Sequence, residues 1–575
     1  MLSHNVARHL LNAAQARPEQ AGLIVPGNSE GQKVIRFDRL ERLTAGAAAR
    51  MSARGIKRGM RVSLLVKPGP SLILAVFALF RIGAVPVVID PGMPRNKFLA
   101  CLERSEPEAL VGIDLAVWLS RLPLNAFRSL RVRVAVNRAF MHDVEAAATS
   151  PTDGPAETAS DELAAILFTS GSTGPAKGVR YHHGAFNAQV AAIREAFAME
   201  PGEVDLPMLP VFTLFNPALG ITTVVPPIDP SRPARADPAK VFATLQEHGV
   251  TTSFGSPALW ARLVDWCEAE GKTLPRLRRV LMAGAPSPFR LLERLQTVLP
   301  NARIHTPYGA TEVLPVSSIE ANEVLAETAA ATRQGAGTCV GRPLPSVDAR
   351  IVAASRTEGP AGASAAAVDL PAALPVGERG EIVVTGPTVT YAYDRLHEAT
   401  ARAKYYEITP DGTRRTWHRM GDAGYVDAQG RLWFLGRLAE RVNTRHGPVD
   451  TEPVEGIVNG VDGIRRSALI AMAPSAYEVG LAVEVERSKR PDGEQREAVF
   501  ATEIFPRLEA MWPQLGPLLY GLPCPVMLVP GMPVDVRHNA KIHRITLAKN
   551  LANAHSDRFI LGREAEAQSR ASRED

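Results

Sequence analysis

Cysteine is scarce. The 575 residues contain four cysteines, Cys101, Cys267, Cys339 and Cys524. They are far apart and form no C-x-x-C pair, which excludes a cysteine-based zinc site and a disulfide framework and fits a reducing cytoplasm. Long apolar runs are absent too. The longest, Leu72 to Phe80, has nine residues and stops at Arg81, well short of the roughly 20 needed to span a bilayer. The N-terminus carries Arg8, His9 and Arg17 among its leucines, so it has no signal-peptide core. Val6, Leu10 and Leu11 can form an amphipathic face, read as packing on the protein's own body, so membrane contact is at most peripheral. A charge excess of one sign is also missing. Lys+Arg minus Asp+Glu is 65 − 60 = +5, and the nearest basic cluster, Arg276 to Arg279, is too short for a nucleic-acid stripe. No nucleic-acid partner is expected.

What remains is ordinary globular composition, with 46% hydrophobic and 22% charged residues, over a length that implies at least two domains. β-branched apolar runs at Arg61–Val66, Val85–Ile89, Ala164–Phe168, Arg279–Met282 and Ala302–His305 read as buried strands. Helical patterns such as Leu72–Arg81 and Pro257–Glu270 lie between them. This alternation argues an α/β fold with largely parallel sheets. Glu145–Ser160 and Ala353–Ala373 are rich in small and polar residues and read as exposed loops; the tail after Arg563 reads as frayed. From Gly377 the texture changes to short strands and turns, and a new block runs from Glu452 to about Ala552. The boundary is placed in Gly436–Arg441, which gives a large domain, 1–436, and a small one, 437–575.

The stretch Ile166–Gly178 carries the most chemistry. A buried strand delivers Thr169, Ser170, Gly171, Ser172, Thr173, Gly174 and Lys177 in one loop. Glycines let backbone N–H groups approach a phosphate, hydroxyls donate hydrogen bonds, and the lysine adds a point charge. Spacing excludes two rivals. In a P-loop the lysine follows glycine directly, whereas here Pro175 and Ala176 intervene. A G-x-S-x-G elbow fails at Ser170.

Thr169–Gly178 resembles the signature of the AMP-forming adenylating superfamily: acyl-CoA synthetases, peptide-synthetase adenylation domains and luciferases. Five further boxes follow in order. Gly284-Ala285-Pro286 resembles the adenine-contacting turn, and Tyr308-Gly309-Ala310-Thr311-Glu312 the YGxTE box. Gly421-Asp422 resembles the box whose aspartate takes the ribose hydroxyls. Gly436-Arg437 resembles the last box of the large domain, and Lys541-Ile-His-Arg544 the small domain's K-x-x-R. The resemblance implies an adenylate-forming α/β fold with a small, mobile C-terminal α+β domain, and ATP and Mg²⁺ as cofactors. It implies Tyr308 against adenine, Thr311 near the phosphate, Glu312 as the magnesium ligand, and Lys177 and Lys541 as catalytic cations. Attack of a carboxylate on an α-phosphate joins two anions, so the chemistry asks for such charges.

The departures are informative. Thr213, within Leu209–Gly220, stands where acyl-CoA synthetases commonly carry a histidine. Ala439 stands at the hinge position, His446 where a glycine usually lines the pantetheine tunnel, and Thr451-Glu452-Pro453 replaces P-x-E. With the lead-in Arg537-His-Asn-Ala-Lys541, this pattern resembles the β-lactone synthetases of bacterial long-chain olefin biosynthesis. The resemblance implies a 2-alkyl-3-hydroxy fatty acid as substrate, whose own β-hydroxyl displaces AMP. It also implies assembly with a thiolase-like enzyme, a reductase and a β-lactone decarboxylase. Phe212, Phe215 and Leu219 are expected to wall the acyl chains. His183 and His446 are weighed as bases, His183 rather as a structural residue. A long-chain acyl-CoA synthetase and a non-catalytic acyl-adenylate binder stay open as alternatives.

Overall fold

The structure is a computed structural model that describes residues 3–28, 31–90, 92–149, 153–169, 176–229, 235–354, 369–472, 477–486, 494–534, 542–551 and 559–562. Ser170–Gly174, the Arg537–Lys541 segment and the tail after Arg563 lie outside the described residues.

Apolar runs become the centres of two sheets. In a six-stranded sheet Val132–Ala135, Ala109–Gly112, Arg61–Leu65, Val85–Val88 and Leu163–Thr169 lie side by side in that order, all parallel. Such strands are covered on both faces, which is why they read as continuous apolar runs. The nine-residue run lies in the covering helix Pro70–Ile82, which starts on a proline and ends at Gly83 with φ 77°. Val6 and Leu10 are buried in the core beside it, so the N-terminal helix Ala7–Ala16 packs on its own body.

Leu163–Thr169 then pairs antiparallel with Lys177–His182, with Thr169 opposite Lys177. The phosphate-loop segment therefore joins two hairpin strands. In a P-loop the phosphate-binding loop would lead from the strand into a helix.

A larger, 14-stranded mixed sheet takes in the parallel strands Thr252–Gly255 and Arg279–Met282 and, at one end, antiparallel strands from Val313 onward. The strand expected at Ala302–His305 runs on, as Arg303–Ala310, and folds back on Val313–Glu320. The short strands expected beyond Gly377 are Gly380–Thr385, Arg414–Val426 and Leu432–Arg437. One loop needs correction. Glu145 to Ala147 finish the helix Arg138–Ala147, and Thr158 is buried because His4 and Asn5 bond the backbone of Thr158 and Ala156. Of Ala353–Ala373, residues 355–368 lie outside the described part.

After Arg437 a 3₁₀ turn, Leu438–Glu440, leads into a four-stranded sheet of Ile464–Ala471, Val479–Val485, Cys524–Leu528 and Ile560–Leu561. Its core, from Val442 to Leu561, draws no buried residue from before Val442. The two parts meet where Thr338 Oγ1 donates to Glu452 Oε2 at 2.8 Å and Arg290 Nη2 to the Gly460 carbonyl at 2.8 Å. The fold is therefore mixed α/β: a large sheet-and-helix body followed by a smaller α+β block.

Candidate active site

Between these parts lies a cleft of about 2190 Å³, lined by Lys177, Gly284, Ala285, Pro286, Tyr308, Gly309, Thr311, Glu312, Asp422 and Arg437, and on the far side by Arg544. Sheet register explains how residues from distant boxes meet. Tyr308 and Gly309 end the strand Arg303–Ala310, and the two-residue hairpin tip after Ala310 carries Thr311 and Glu312. Asp422 and Arg437 are register partners on adjacent antiparallel strands.

At the end of the cleft formed by Tyr308, Glu312 and Asp422 each acid has a matched donor. Arg437 Nε lies 3.1 Å from Asp422 Oδ1, and the Tyr308 hydroxyl donates to Asp422 Oδ2 at 2.5 Å. Asp422 in turn raises the Arg437 pKa, and burial with Asp422 raises that of the Tyr308 phenol, so the arginine is charged and the phenol neutral. The Tyr393 hydroxyl donates to Glu312 Oε1 at 2.7 Å, and Lys177 Nζ sits 4.8 Å from the Tyr393 ring centroid. The Tyr181 hydroxyl donates to the Thr311 carbonyl.

Behind Glu312 lies a buried amine. Lys404 is 1% exposed, donates to the Thr390 carbonyl, and stands 3.2 Å from His418 Nδ1. Thr390 closes the link, its N–H and hydroxyl donating to the Glu312 carbonyl at 2.8 and 3.0 Å. Burial pushes the Lys404 pKa down to about 7 against the pull of Glu312. Burial and Lys404 hold His418 well below the usual imidazole range. Tyr393, Lys404 and His418 escaped sequence reasoning because a lone tyrosine, lysine or histidine between strand residues carries no periodic or motif signal.

The end of the cleft at Phe212 and Phe215, where the acyl chains are proposed below to lie, is built differently. Phe212 stacks on Phe254 with centroids 3.5 Å apart, and Phe215 lies 6.1 Å from Phe212. Phe212 and Phe215 line the cleft. Behind them a void of about 50 Å³ is reached by Leu219 and ends on Asp205 and Asn216. Leu219 thus lies behind the phenylalanines and not on the cleft itself. Asn216 Nδ2 donates to Asp205 Oδ2 at 2.8 Å, while burial pushes the Asp205 pKa up to about 7.

Neither histidine weighed as a base lines the cleft. His183 is buried, accepts from the Val6 N–H at 3.3 Å, and is lowered by burial to about 4. His446 is exposed on the Thr444–Gly447 turn. Glu452, one of the departures, is half-buried on the cleft beside the buried Glu455, and desolvation raises both carboxyls. Arg544 answers them, with Nη2 at 2.6 Å from Glu455 and Nη1 at 2.7 Å from Glu440 in the 3₁₀ turn. Thr169 pairs through its backbone with Lys177; Ser170–Gly174 and Lys541 lie outside the described residues.

The donor set suits a nucleotide with a hard cation. Ser287 Oγ, next to the Gly284–Pro286 turn, is buried on the cleft with no protein partner among the described residues. No cluster of three or more acidic, histidine or cysteine side chains could hold a metal by itself among them. One carboxylate plus substrate phosphates is the usual magnesium arrangement, and Glu312 Oε2 has no partner among the described residues.

Comparison with known proteins agrees with this geometry. Residues 11–394 match the AMP-binding enzyme family. The chain is 42% identical over 560 residues to an olefin β-lactone synthetase of Stenotrophomonas maltophilia, covering 95% of this chain and 97% of that protein. It is 40% identical over 561 residues to an olefin β-lactone synthetase of Xanthomonas campestris pv. campestris, with the same coverage. The ATP-bound MatB of Rhodopseudomonas palustris shares the fold at TM-score 0.72 and 19% identity, over 96% of this chain and all of that one. The chain belongs to the AMP-binding enzymes and, within them, to the olefin β-lactone synthetase family.

Proposed function

We propose that this protein uses ATP to activate a long-chain 2-alkyl-3-hydroxy fatty acid and closes it to a β-lactone, releasing AMP and diphosphate. The observation that carries the reading is the likeness to two olefin β-lactone synthetases along 95% of the chain.

The geometry supports roles for its residues. Asp422, held from two sides, offers its carboxylate to the ribose hydroxyls. Tyr308 and the Gly284–Pro286 turn flank the adenine. Lys177 and the Ser170–Gly174 loop take phosphate oxygens, with Thr311 beside them. Glu312 holds Mg²⁺, which when bound neutralises phosphate charge and acts as a Lewis acid. The substrate carboxylate attacks the α-phosphorus, the bond to the diphosphate breaks, and acyl-AMP forms. Lys541 adds charge to that transition state. The substrate's β-hydroxyl oxygen then attacks the acyl carbon, the bond to AMP breaks, and the hydroxyl proton is released. Both reacting groups belong to one molecule, so proximity favours closure without a second acceptor.

The chain divides at Gly436 into a large part, 1–436, and a small part, 437–575, that closes Lys541 over the nucleotide. The separate core beyond Val442 supports this division. A thiolase-like condensing enzyme and a reductase supply the acid, and a β-lactone decarboxylase consumes the product. Incubation with ATP, Mg²⁺ and a 2-alkyl-3-hydroxy acid, with and without coenzyme A, tests the reading. Lactone and AMP form without coenzyme A. A strict need for coenzyme A, with a thioester product, overturns the proposal in favour of an acyl-CoA synthetase.

A further inference from the structure

The largest cluster of exposed apolar side chains lies away from the cleft. Leu115, Trp118, Leu119 and Leu122 are 58%, 60%, 37% and 38% exposed, and the helix that starts this stripe, Asp114–Leu119, buries no residue. Within the helix, spacing of three and four residues puts Leu115, Trp118 and Leu119 on one face, and Leu122 follows in the turn after it. An amphipathic helix normally turns such a face inward. Here the small side chain of Ala116 sits against the strand end at Gly112, close enough that a Cβ on Gly112 would meet it at 3.2 Å. The large residues are left facing outward. Other exposed apolar residues, such as Val34 and Ile408, are scattered and need no explanation.

The stripe has a basic collar. Residues 114–138 hold five arginines and one acid, Asp114. Arg121, Arg128, Arg131 and Arg138 are exposed and make no ion pair among the described residues. Arg133 holds the stripe in place, with Nε on Ser120 Oγ and Nη2 on the Ser120 carbonyl, both at 3.0 Å. Asp114 is occupied by Asn137 Nδ2 at 2.8 Å. The strand Val132–Ala135 beside it is a sheet edge.

We infer that the Asp114–Arg138 surface docks this protein on an anionic phospholipid bilayer, with Trp118 and its leucines in the interface and the arginines on headgroup phosphates. Tryptophan suits that depth because its body is apolar and its N–H polar. Arginines beside an apolar face draw it to anionic lipid. A stable protein partner covers about 800 Å², whereas four side chains offer on the order of a few hundred. A bilayer is also where a long-chain acid of the kind proposed above collects. No residue of 114–138 lines the cleft, so docking and lactone formation fail separately.

The test is sedimentation of the full chain with vesicles, without nucleotide. The protein binds phosphatidylglycerol–phosphatidylethanolamine vesicles, and binding weakens as salt rises from about 0.1 M to about 1 M, where the Debye length falls from about 10 to about 3 Å. Trp118→Ser and the double change Arg121→Glu/Arg128→Glu each weaken binding about ten-fold, and both keep wild-type AMP release on a water-soluble 3-hydroxy acid, which shows that they fold. Equal binding by wild type and variants, or no preference over phosphatidylcholine, overturns the inference. So does self-association or capture of a protein that Trp118→Ser abolishes while vesicle binding is absent.

Discussion

The two ends of the cleft handle buried charge in opposite ways. At the nucleotide end, Asp422 is held by Arg437 and Tyr308, and Glu312 by Tyr393, with Lys404 buried behind. At the acyl end the lone carboxyl, Asp205, has Asn216 as its amide donor and aromatic rings in front of it. Burial outweighs the Asn216 bond and the more distant Arg279 at Asp205 and raises its pKa, whereas Arg437 in direct contact favours the charged form of Asp422. The cleft thus keeps its charge around Asp422 and Glu312 and lowers it behind Phe212 and Phe215.

The largest effect is expected where that contrast is broken by removing a matched acid. Asp422→Ala lowers kcat/KM for ATP about a thousand-fold, about 4 kcal/mol, because the ribose contact goes and Arg437 and Tyr308 lose their partner. AMP release against ATP concentration reads it, and an unchanged KM for ATP would show that the carboxylate is not on the nucleotide.

Next comes the other end. A folded-state pKa of about 7 for Asp205 lies above its unfolded value, so its stability contribution is full below pH about 4 and lost as pH rises to about 7. Urea midpoints at pH about 5 and about 8 should therefore show Asp205→Asn gaining about 2–3 kcal/mol on wild type. A gap that does not move with pH places Asp205 among ordinary ionised carboxylates.

Lys404 gives the mirror image. Its folded pKa of about 7 lies below the unfolded value, so the unfolded chain binds the extra proton and wild-type stability rises with pH from about 7 to about 10. Relative to Lys404→Met, wild type should gain about 2 kcal/mol between pH about 7 and about 9. The smallest change sharpens the picture: Tyr393→Phe frees one oxygen of Glu312 and lowers kcat about ten-fold, with a raised Mg²⁺ requirement and little change in melting temperature.

Strand positions and nucleotide boxes were legible because parallel strands are apolar throughout and phosphate loops demand glycine and hydroxyl residues in a short span. The pairing of Asp422 with Arg437 was not. It depends on register, and the adjacent irregularity at Ala423 and Gly424 shifts that register in a way no local pattern records. Burial of Lys404 was equally silent, since lysine is ordinarily a surface residue. At Leu115, Trp118 and Leu119 helical spacing, elsewhere the mark of a core face, belongs to a face that the structure turns outward. Phe212 and Phe215 were readable as apolar residues of one loop, but the void behind them, with its desolvated carboxyl, required Asp205 from a distant strand.

The cleft draws its lining from Val6 near one end of the chain to Arg544 near the other. As the chain leaves the ribosome, the nucleotide strands are complete before the residues that bring the last cation. A growing polypeptide therefore holds the strands of the cleft before it holds the Arg544 side that completes the lining, and the cleft closes only as that last block folds.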